Sequence, residues 1–585
     1  MITLSEGQRI AAETFGLAPF WWGWLFAGIA ILLAAAAWLV PPADLLAPRQ
    51  PGRMTEQAGK RWLTVVIVAA LLLHAQGFTG TFNLFDDFRQ IHVDKVINTL
   101  NDENLTKVLF GNYKGTNQEL MYLSFMLNWE LAGRTYWVWY LFNWLTLIPL
   151  LSGIAWIGRL LTGERLIGIL AAAFFATSPI AAELLCWMSV RSHLYGLLFT
   201  VLCVGAYLEY REIPEWDGDQ LWRKTGFLAL SLLAFFATQL CKPIYLFVPL
   251  WLVAIDLYRW RGRWWVSVLD KVPFVLVGAW AYWRIALTDH GAGDRLIREA
   301  PLGGSYLNTL WQDMNLLVEY GRSLFVPSEL GLLPPFNVAT GPFFVEGTPD
   351  VLINGFAPLA SLLILLSVLA ITIAARVRHG DGLPLLWIFL AGLSVATVMN
   401  IPNRGHAATF EYRYTLSANI ATAILLGDLA VRLVRGRLGR IPQARLVVVG
   451  LLGAYLAWGG LMTWHNGYAW QVSWHFWPRN ARLYPHSYFA HYYAGKAHQW
   501  NKQNYVAVQH LLKAEELDQK NDMALHKRIG DNAFLIERYD LAREHWLVYF
   551  RRYPKKIDDK YLEKFGKVGL VVTARGRVHA IGGSE

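Results

Sequence analysis

Apolar runs of roughly 17 to 25 residues recur over the first 465 positions, each long enough to cross a hydrocarbon core about 30 Å thick. They predict about twelve spanning helices, near 20–40, 62–79, 136–158, 165–186, 191–209, 225–241, 244–258, 266–287, 352–376, 383–400, 413–433 and 446–464. The short loops between them are basic in alternation, with Arg49, Arg53, Lys60 and Arg61 in one, Arg259, Arg261 and Arg263 in another, and Arg435, Arg437 and Arg440 in a third. Such a bias places the basic loops inside. Both termini and the loops 80–135, 288–351 and 401–412 then fall outside. The first run lacks a strongly basic leader and is expected to stay as an anchor. Within the outer loops, Glu119–Trp129 and Tyr306–Val326 carry apolar residues at helical spacing and predict helices lying in the interface, while Gly331–Pro335 reads as a turn. Two long loops on one side predict a roof over a cavity open to membrane and water.

After Trp464 the pattern turns polar, and it repeats. Gly495 and Gly530 stand 35 residues apart, as do Ala507 and Ala542; Leu511 corresponds to Trp546, and Pro554 closes the second unit. Small residues where two antiparallel helices cross, at a period near 34, resemble the tetratricopeptide repeat. Two units need capping by flanking helices or by the membrane domain. The division is therefore a membrane domain over 1–465 and a repeat domain over 478–585, and the fold class is all-α, a polytopic helical bundle with helical repeats.

Composition agrees: 55% of the 585 residues are hydrophobic and only 16% charged, against about 25% charged in a soluble domain. The net charge of +10 is spread over short loops rather than pooled, which argues for membrane orientation and against a nucleic-acid partner. Cys186, Cys203 and Cys241 lie in or beside apolar runs and read as buried thiols, with no disulfide framework. The fifteen histidines show no ligand spacing. Phosphate-cradling glycine loops, HExxH pairs and nucleophile elbows are absent, so a nucleotide-sugar enzyme or a metallohydrolase is disfavoured.

The candidate chemistry lies in Phe82-Asn83-Leu84-Phe85-Asp86-Asp87-Phe88-Arg89-Gln90-Ile91, directly after a spanning segment. Carboxylates at a membrane boundary cost desolvation energy unless solvated, paired or working. An acidic pair can simply cap a helix. It can also accept the proton of an acceptor hydroxyl as that oxygen attacks a sugar carbon, the base half of an inverting transfer. A lipid phosphate leaving as an anion needs no general acid but does need positive charge. Arg191, Lys242 and Arg413 are expected at the same outer level, though any one of them alone also suits headgroup snorkelling.

These residues resemble membrane glycosyltransferases of the GT-C class, and more closely the transmembrane and tetratricopeptide-repeat O-mannosyltransferases with their bacterial relatives. The resemblance rests on Phe85-Asp86-Asp87-Phe88, Leu123-Ser124-Phe125-Met126-Leu127-Asn128, Pro179 with Glu183, Trp187 and Arg191, Lys242-Pro243 through Pro249-Leu250, Arg413-Tyr414 and the C-terminal repeats. It implies a polyprenyl-phosphate-sugar donor, Asp86 or Asp87 as base, and Arg191, Lys242 and Arg413 against the donor phosphate. Glu183, Trp187 and Tyr414 would line the substrate. Gln118-Glu119 stands where the family has Arg-Pro, and histidines are not seen around Tyr140–Asn143, so mannose does not follow. Single-sugar relatives generally need no metal, although two adjacent aspartates can bind a divalent ion. The acceptor is a protein or glycan, reached through the repeats, and the compartment expected is the periplasmic face of a bacterial inner membrane. An endoplasmic-reticulum membrane satisfies the same charge pattern, and Asn104-Leu105-Thr106 is a formal glycosylation sequon. Two alternatives stay open: a polymerase or ligase of lipid-linked glycans, and a non-enzymatic transporter or scaffold of envelope assembly.

Overall fold

The computed structural model describes residues 21–39, 54–111, 113–115, 117–214, 220–259, 268–288, 305–332, 358–399, 411–485, 487–517, 522–573 and 578–580. Much of the 288–351 loop, nearly all of the 401–412 loop, and residues 333–335 of the turn expected after Gly331 lie outside them.

Each of the twelve predicted spans coincides with a helix. These are α1 (Trp21–Leu39), α2 (Glu56–Leu73), then, after α3 (Asp102–Phe110) and α4 (Glu119–Ala132), α5 (Tyr136–Thr162), α6 (Arg165–Ala176) with α7 (Ile180–Cys186), α8 (Arg191–Glu212), α9 (Leu221–Cys241), α10 (Val248–Arg259) and α11 (Val272–Thr288). Following α12 (Tyr306–Phe325) come α13 (Pro358–His379), α14 (Leu383–Ala396), α15 (Leu416–Arg435) and α16 (Pro442–Trp470). Among the described residues, seven helical segments are long and apolar enough to cross a membrane, and α6–α7 makes an eighth as a broken span bent by 68°. The others are shorter. Pro243, without an amide hydrogen, opens a 3-10 turn over Pro243–Phe247, so α10 starts only at Val248.

Small residues set the close contacts of the bundle. A Cβ on Gly158 of α5 would lie 2.8 Å from Gly168 Cα of α6, and one on Gly427 of α15 would lie 2.7 Å from Ile167 O. Backbones that approach this closely pack by dispersion, which is the main attraction available between helices in lipid.

The two ends of the bundle differ in kind. At the end expected inside, the basic residues are neutralised by acids: Arg211 with Asp256 (3.4 Å) and Asp270 (3.1 Å), Lys271 with Asp256, Arg259 with Glu212 (2.6 Å), Arg432 with Asp381 and Asp428, and Arg435 with Glu164 (3.0 Å). Asp256 and Asp428 are thus ion-paired ties between neighbouring segments.

At the opposite end, the acidic loop is stitched to the chain that leaves α16. Thr81 N donates to Gln471 O (2.6 Å), Leu84 N to Ser473 Oγ (2.9 Å), and Gln471 Nε2 to Gln76 O (2.7 Å). The helix α17 (Ser473–Leu483) follows, then the hairpins α18 (Tyr488–Trp500) with α19 (Asn504–Glu516) and α20 (Met523–Leu535) with α21 (Tyr539–Arg552), and α22 (Asp559–Val568). The 35-residue period is visible as packing. A Cβ on Gly495 would lie 2.6 Å from Leu511 Cγ, and one on Gly530 2.4 Å from Trp546 Cδ1. Among the described residues the one sheet is a small antiparallel pair, β1 (Leu570–Val572) with β2 (Val578–Ala580). The three cysteines are free and buried.

The expected interfacial helix at 119–129 is present as α4, but it is not laid on a surface. Met121, Tyr122, Phe125, Met126 and Asn128 are buried, and α4 packs on α5, α8 and α9.

Candidate active site

Four aromatic rings hold the residue before the acidic pair. The Phe85 ring lies 6.0 Å from Trp187, 6.0 Å from Trp477, 5.3 Å from Phe489 and 5.2 Å from Tyr493. Two of these rings belong to α18, so the first repeat hairpin forms one wall of the acidic loop. Phe88 extends the contact to Trp500 at 5.6 Å. Rings at these separations prefer edge-to-face geometry, and three of the four contacts to Phe85 adopt it.

The two aspartates have different surroundings. Asp87 is fully buried. Its Oδ2 accepts from Asn83 N (3.0 Å), and its Oδ1 accepts from Ser189 N (2.8 Å) and Ser189 Oγ (2.6 Å). Burial pushes its carboxyl up to about 6, against these three bonds, which pull it down. Both oxygens are engaged in pinning the acidic loop to the turn before α8. Asp86 keeps a quarter of its side chain exposed, and its nearest cation is Arg89 at 3.7 Å. Burial raises its carboxyl above the usual range, opposed by the charges of Arg89, Arg413, Lys242 and Lys114 in that order. Asp86 therefore sits within electrostatic reach of two of the three cations named from sequence.

Lys242 follows the last residue of α9, and its Nζ lies 2.8 Å from His193 Nε2. Burial and the neighbouring Arg413 lower its ammonium to about 7, while Asp86 and Glu411 support the charge. Arg413 opens α15 from a 3-10 turn, and its Nη1 lies 3.1 Å from Glu183 and 3.3 Å from Glu411. Its guanidinium carbon stands 5.1 Å over the Trp187 ring and 5.5 Å over Tyr414. Two carboxylates thus share this cation.

Arg191, expected against the donor phosphate, is instead spent on a buried framework. The side chain is wholly buried. Nε donates to Asn143 Oδ1 (2.7 Å), Nη1 to Ser124 Oγ (3.2 Å) and to Asn128 Oδ1, and Nη2 to Trp139 O (2.9 Å). The Phe125 and Trp139 rings lie 5.2 and 5.5 Å from its guanidinium carbon. A fork with five donors spent on four acceptors from α4 and α5 is a framework knot. Ser124 and Asn128, four residues apart, present one face of α4 to it. The Leu-Ser-Phe-x-Leu-Asn segment and the arginine are thus two halves of one buried interaction.

Glu183 and Trp187 are buried as well, Glu183 against Arg413 and Trp187 stacked on Trp470 at 5.3 Å. They shape the wall behind the cations rather than a free surface. Tyr414 is half-buried beside His193, with ring centroids 6.4 Å apart. Sequence reasoning missed Ser189, which fixes Asp87; His193, which meets Lys242; Glu411, which shares Arg413; and the exposed Arg89. Arg89 and Glu411 adjoin motifs already singled out, so proximity along the chain was a usable signal for them. Ser189, between Trp187 and Arg191, and His193, two residues past Arg191, stood equally close to singled-out residues.

Carboxylate oxygens and imidazoles able to hold a metal converge elsewhere, at Glu515, His526 and His545, and among the described residues that is the one such group. The histidines that seemed scattered along the sequence are brought together by the repeat hairpins.

No family model matches the chain, and no curated protein does. Solved structures similar to it include ArnT from Cupriavidus metallidurans in the apo state, at 15% identity and a TM-score of 0.28, over 70% of this chain and 78% of that one. The same protein bound to undecaprenyl phosphate matches at 15% identity and a TM-score of 0.28, over 73% and 80%.

Proposed function

We propose that the chain is an inverting glycosyltransferase that moves a sugar from a polyprenyl-phosphate carrier to an acceptor hydroxyl on the outer face of its membrane. The observation that carries this reading is the carboxylate of Asp86, a quarter exposed, within electrostatic reach of Lys242 and Arg413 at the rim of the bundle. Asp86 takes the acceptor proton as the hydroxyl oxygen attacks the anomeric carbon from the face opposite the phosphate. Its burial makes it a stronger base than a solvated carboxylate. The glycosidic bond to phosphate breaks as the new C–O bond forms, and the carrier leaves as an anion that needs no protonation. Lys242, bonded to an imidazole nitrogen of His193, supplies a point charge to that anion. Arg413, shared with Glu183 and Glu411, holds the rim and contributes its residual field. Asp87 positions the loop.

In this reading the α18 and α20 hairpins, a tetratricopeptide-like domain, present the acceptor protein or glycan. The membrane is a bacterial inner membrane with the site and the repeats on its periplasmic side. The test is transfer from a labelled polyprenyl-phosphate sugar in membranes. Asp86→Asn is expected to lose about 10²- to 10⁴-fold in turnover while the protein accumulates normally. Undiminished transfer by that variant would overturn the assignment.

A further inference from the structure

The repeat hairpins place three ligand atoms at the corners of a small triangle. His526 Nδ1 and His545 Nδ1 are 3.0 Å apart. Glu515 Oε1 is 3.1 Å from the first and 3.4 Å from the second. Glu515 lies in the last turn of α19, His526 lies in the first turn of α20, and His545 faces both from α21. A zinc ion with bonds of about 2.0–2.1 Å in tetrahedral geometry separates its ligands by roughly 3.3 Å, which is the scale of all three edges. Two imidazole nitrogens facing each other at this distance cannot both carry a proton, so at least one lone pair points into the triangle beside the carboxylate. His545 is buried, while the Glu515 side chain is 31% exposed, which leaves an entry path at one corner.

The first hairpin supplies an internal control. His491 and His510 stand 35 residues before His526 and His545, with their Nδ1 atoms 3.1 Å apart. The residue 35 before Glu515 is Asn480, and it is bonded to Leu332 instead. The rest of each ring in the first pair has other partners: His491 Nε2 meets Pro485 O at 3.0 Å, and His510 stacks on His498 at 5.4 Å. The same scaffold thus carries a histidine pair twice and a carboxylate at the third corner only once.

We propose that Glu515, His526 and His545 bind a divalent transition metal of the zinc type, which staples the first repeat hairpin to both helices of the second. Imidazole ligands favour zinc over magnesium or calcium, which take oxygen donors. With three protein ligands, water completes the coordination. The proposal stands independently of the sugar-transfer reading.

The test uses the full-length chain, purified in detergent without a polyhistidine tag, stripped with a chelator and titrated with Zn²⁺. Retention of one zinc per chain, a higher unfolding temperature and no response to Mg²⁺ are expected. Loading with Co²⁺ should give the visible bands of a four-coordinate ion. Glu515→Gln, which keeps size and helix preference, should weaken binding by about tenfold or more. A His526→Ala/His545→Ala chain should lose the site, and a His491→Ala/His510→Ala chain should keep it. Should the double His526/His545 variant not fold, Glu515→Gln alone decides. Zinc retained equally by wild type and Glu515→Gln, loss of zinc through the His491/His510 pair instead, or no zinc bound by the wild type would each overturn the proposal.

Discussion

Replacing Arg191 by lysine separates a framework knot from a phosphate ligand. The guanidinium reaches Asn143, Ser124, Asn128 and the carbonyl of Trp139 at once. An ammonium has three donors at one point, cannot span these acceptors, and leaves at least two of them buried without a donor. Hydrogen bonds to a charged group contribute about 1.5–3 kcal/mol each, so two lost bonds cost about 3–6 kcal/mol. Part of the ring packing of Phe125 and Trp139 on the guanidinium is lost too, at about 0.5–2 kcal/mol. The assay is thermal unfolding of the purified chain, read beside the KM for donor of whatever folds. The unfolding temperature should fall by several degrees, with yield falling in parallel and donor KM nearly unchanged. An unchanged unfolding temperature with donor KM raised about tenfold would refute the reasoning and return Arg191 to the phosphate.

Three further outcomes follow from the same geometry. Ser189→Ala removes the 2.6 Å bond to Asp87; at pH 8, above the value of about 6 to which burial lifts that carboxyl, the ionised acceptor loses a partner and stability falls by about 1.5–3 kcal/mol in denaturant titration. Lys242 is a cation below about pH 7 and neutral above it, so donor KM should rise on the alkaline side of that value; Lys242→Arg should move the limb upward by more than one pH unit, and an unmoved limb would remove Lys242 from donor binding. Gly530→Ala drives a methyl to 2.4 Å from Trp546 Cδ1 and should destabilise the repeat domain by about 1–3 kcal/mol, read as early cleavage in limited proteolysis.

Much of this fold is legible in the chain because the bilayer imposes one length scale on apolar runs and the repeats impose another on small residues. The twelve helices and the Gly495/Gly530 crossings both come from such local periodicity. What the sequence hid was mostly long-range. Arg191 and Lys242 look alike as cations at helix ends, but one is swallowed by Ser124 and Asn128 across more than 60 residues of chain, and only tertiary packing decides which. The asymmetry between Asp86 and Asp87 has the same origin, since Ser189 lies 102 residues from its acceptor. The basic loops carry the expected charge bias, yet Arg211, Arg259, Lys271, Arg432 and Arg435 are paired with acids on neighbouring segments. The histidines at 491, 510, 526 and 545 were visible as residues and invisible as pairs until the 35-residue period was applied to them.

The central claim is that Asp86 and Lys242 flank one donor sugar in one pocket, the carboxylate on the acceptor side and the ammonium at the phosphate, and a double-mutant cycle on donor binding addresses it directly. Asp86→Asn, Lys242→Met and the pair are titrated with a non-transferable polyprenyl-phosphate sugar. A shared pocket should give a coupling energy above about 0.5 kcal/mol, with Asp86→Asn holding donor at least as tightly as wild type. Additive effects, or weakened binding in Asp86→Asn with none in Lys242→Met, would contradict it.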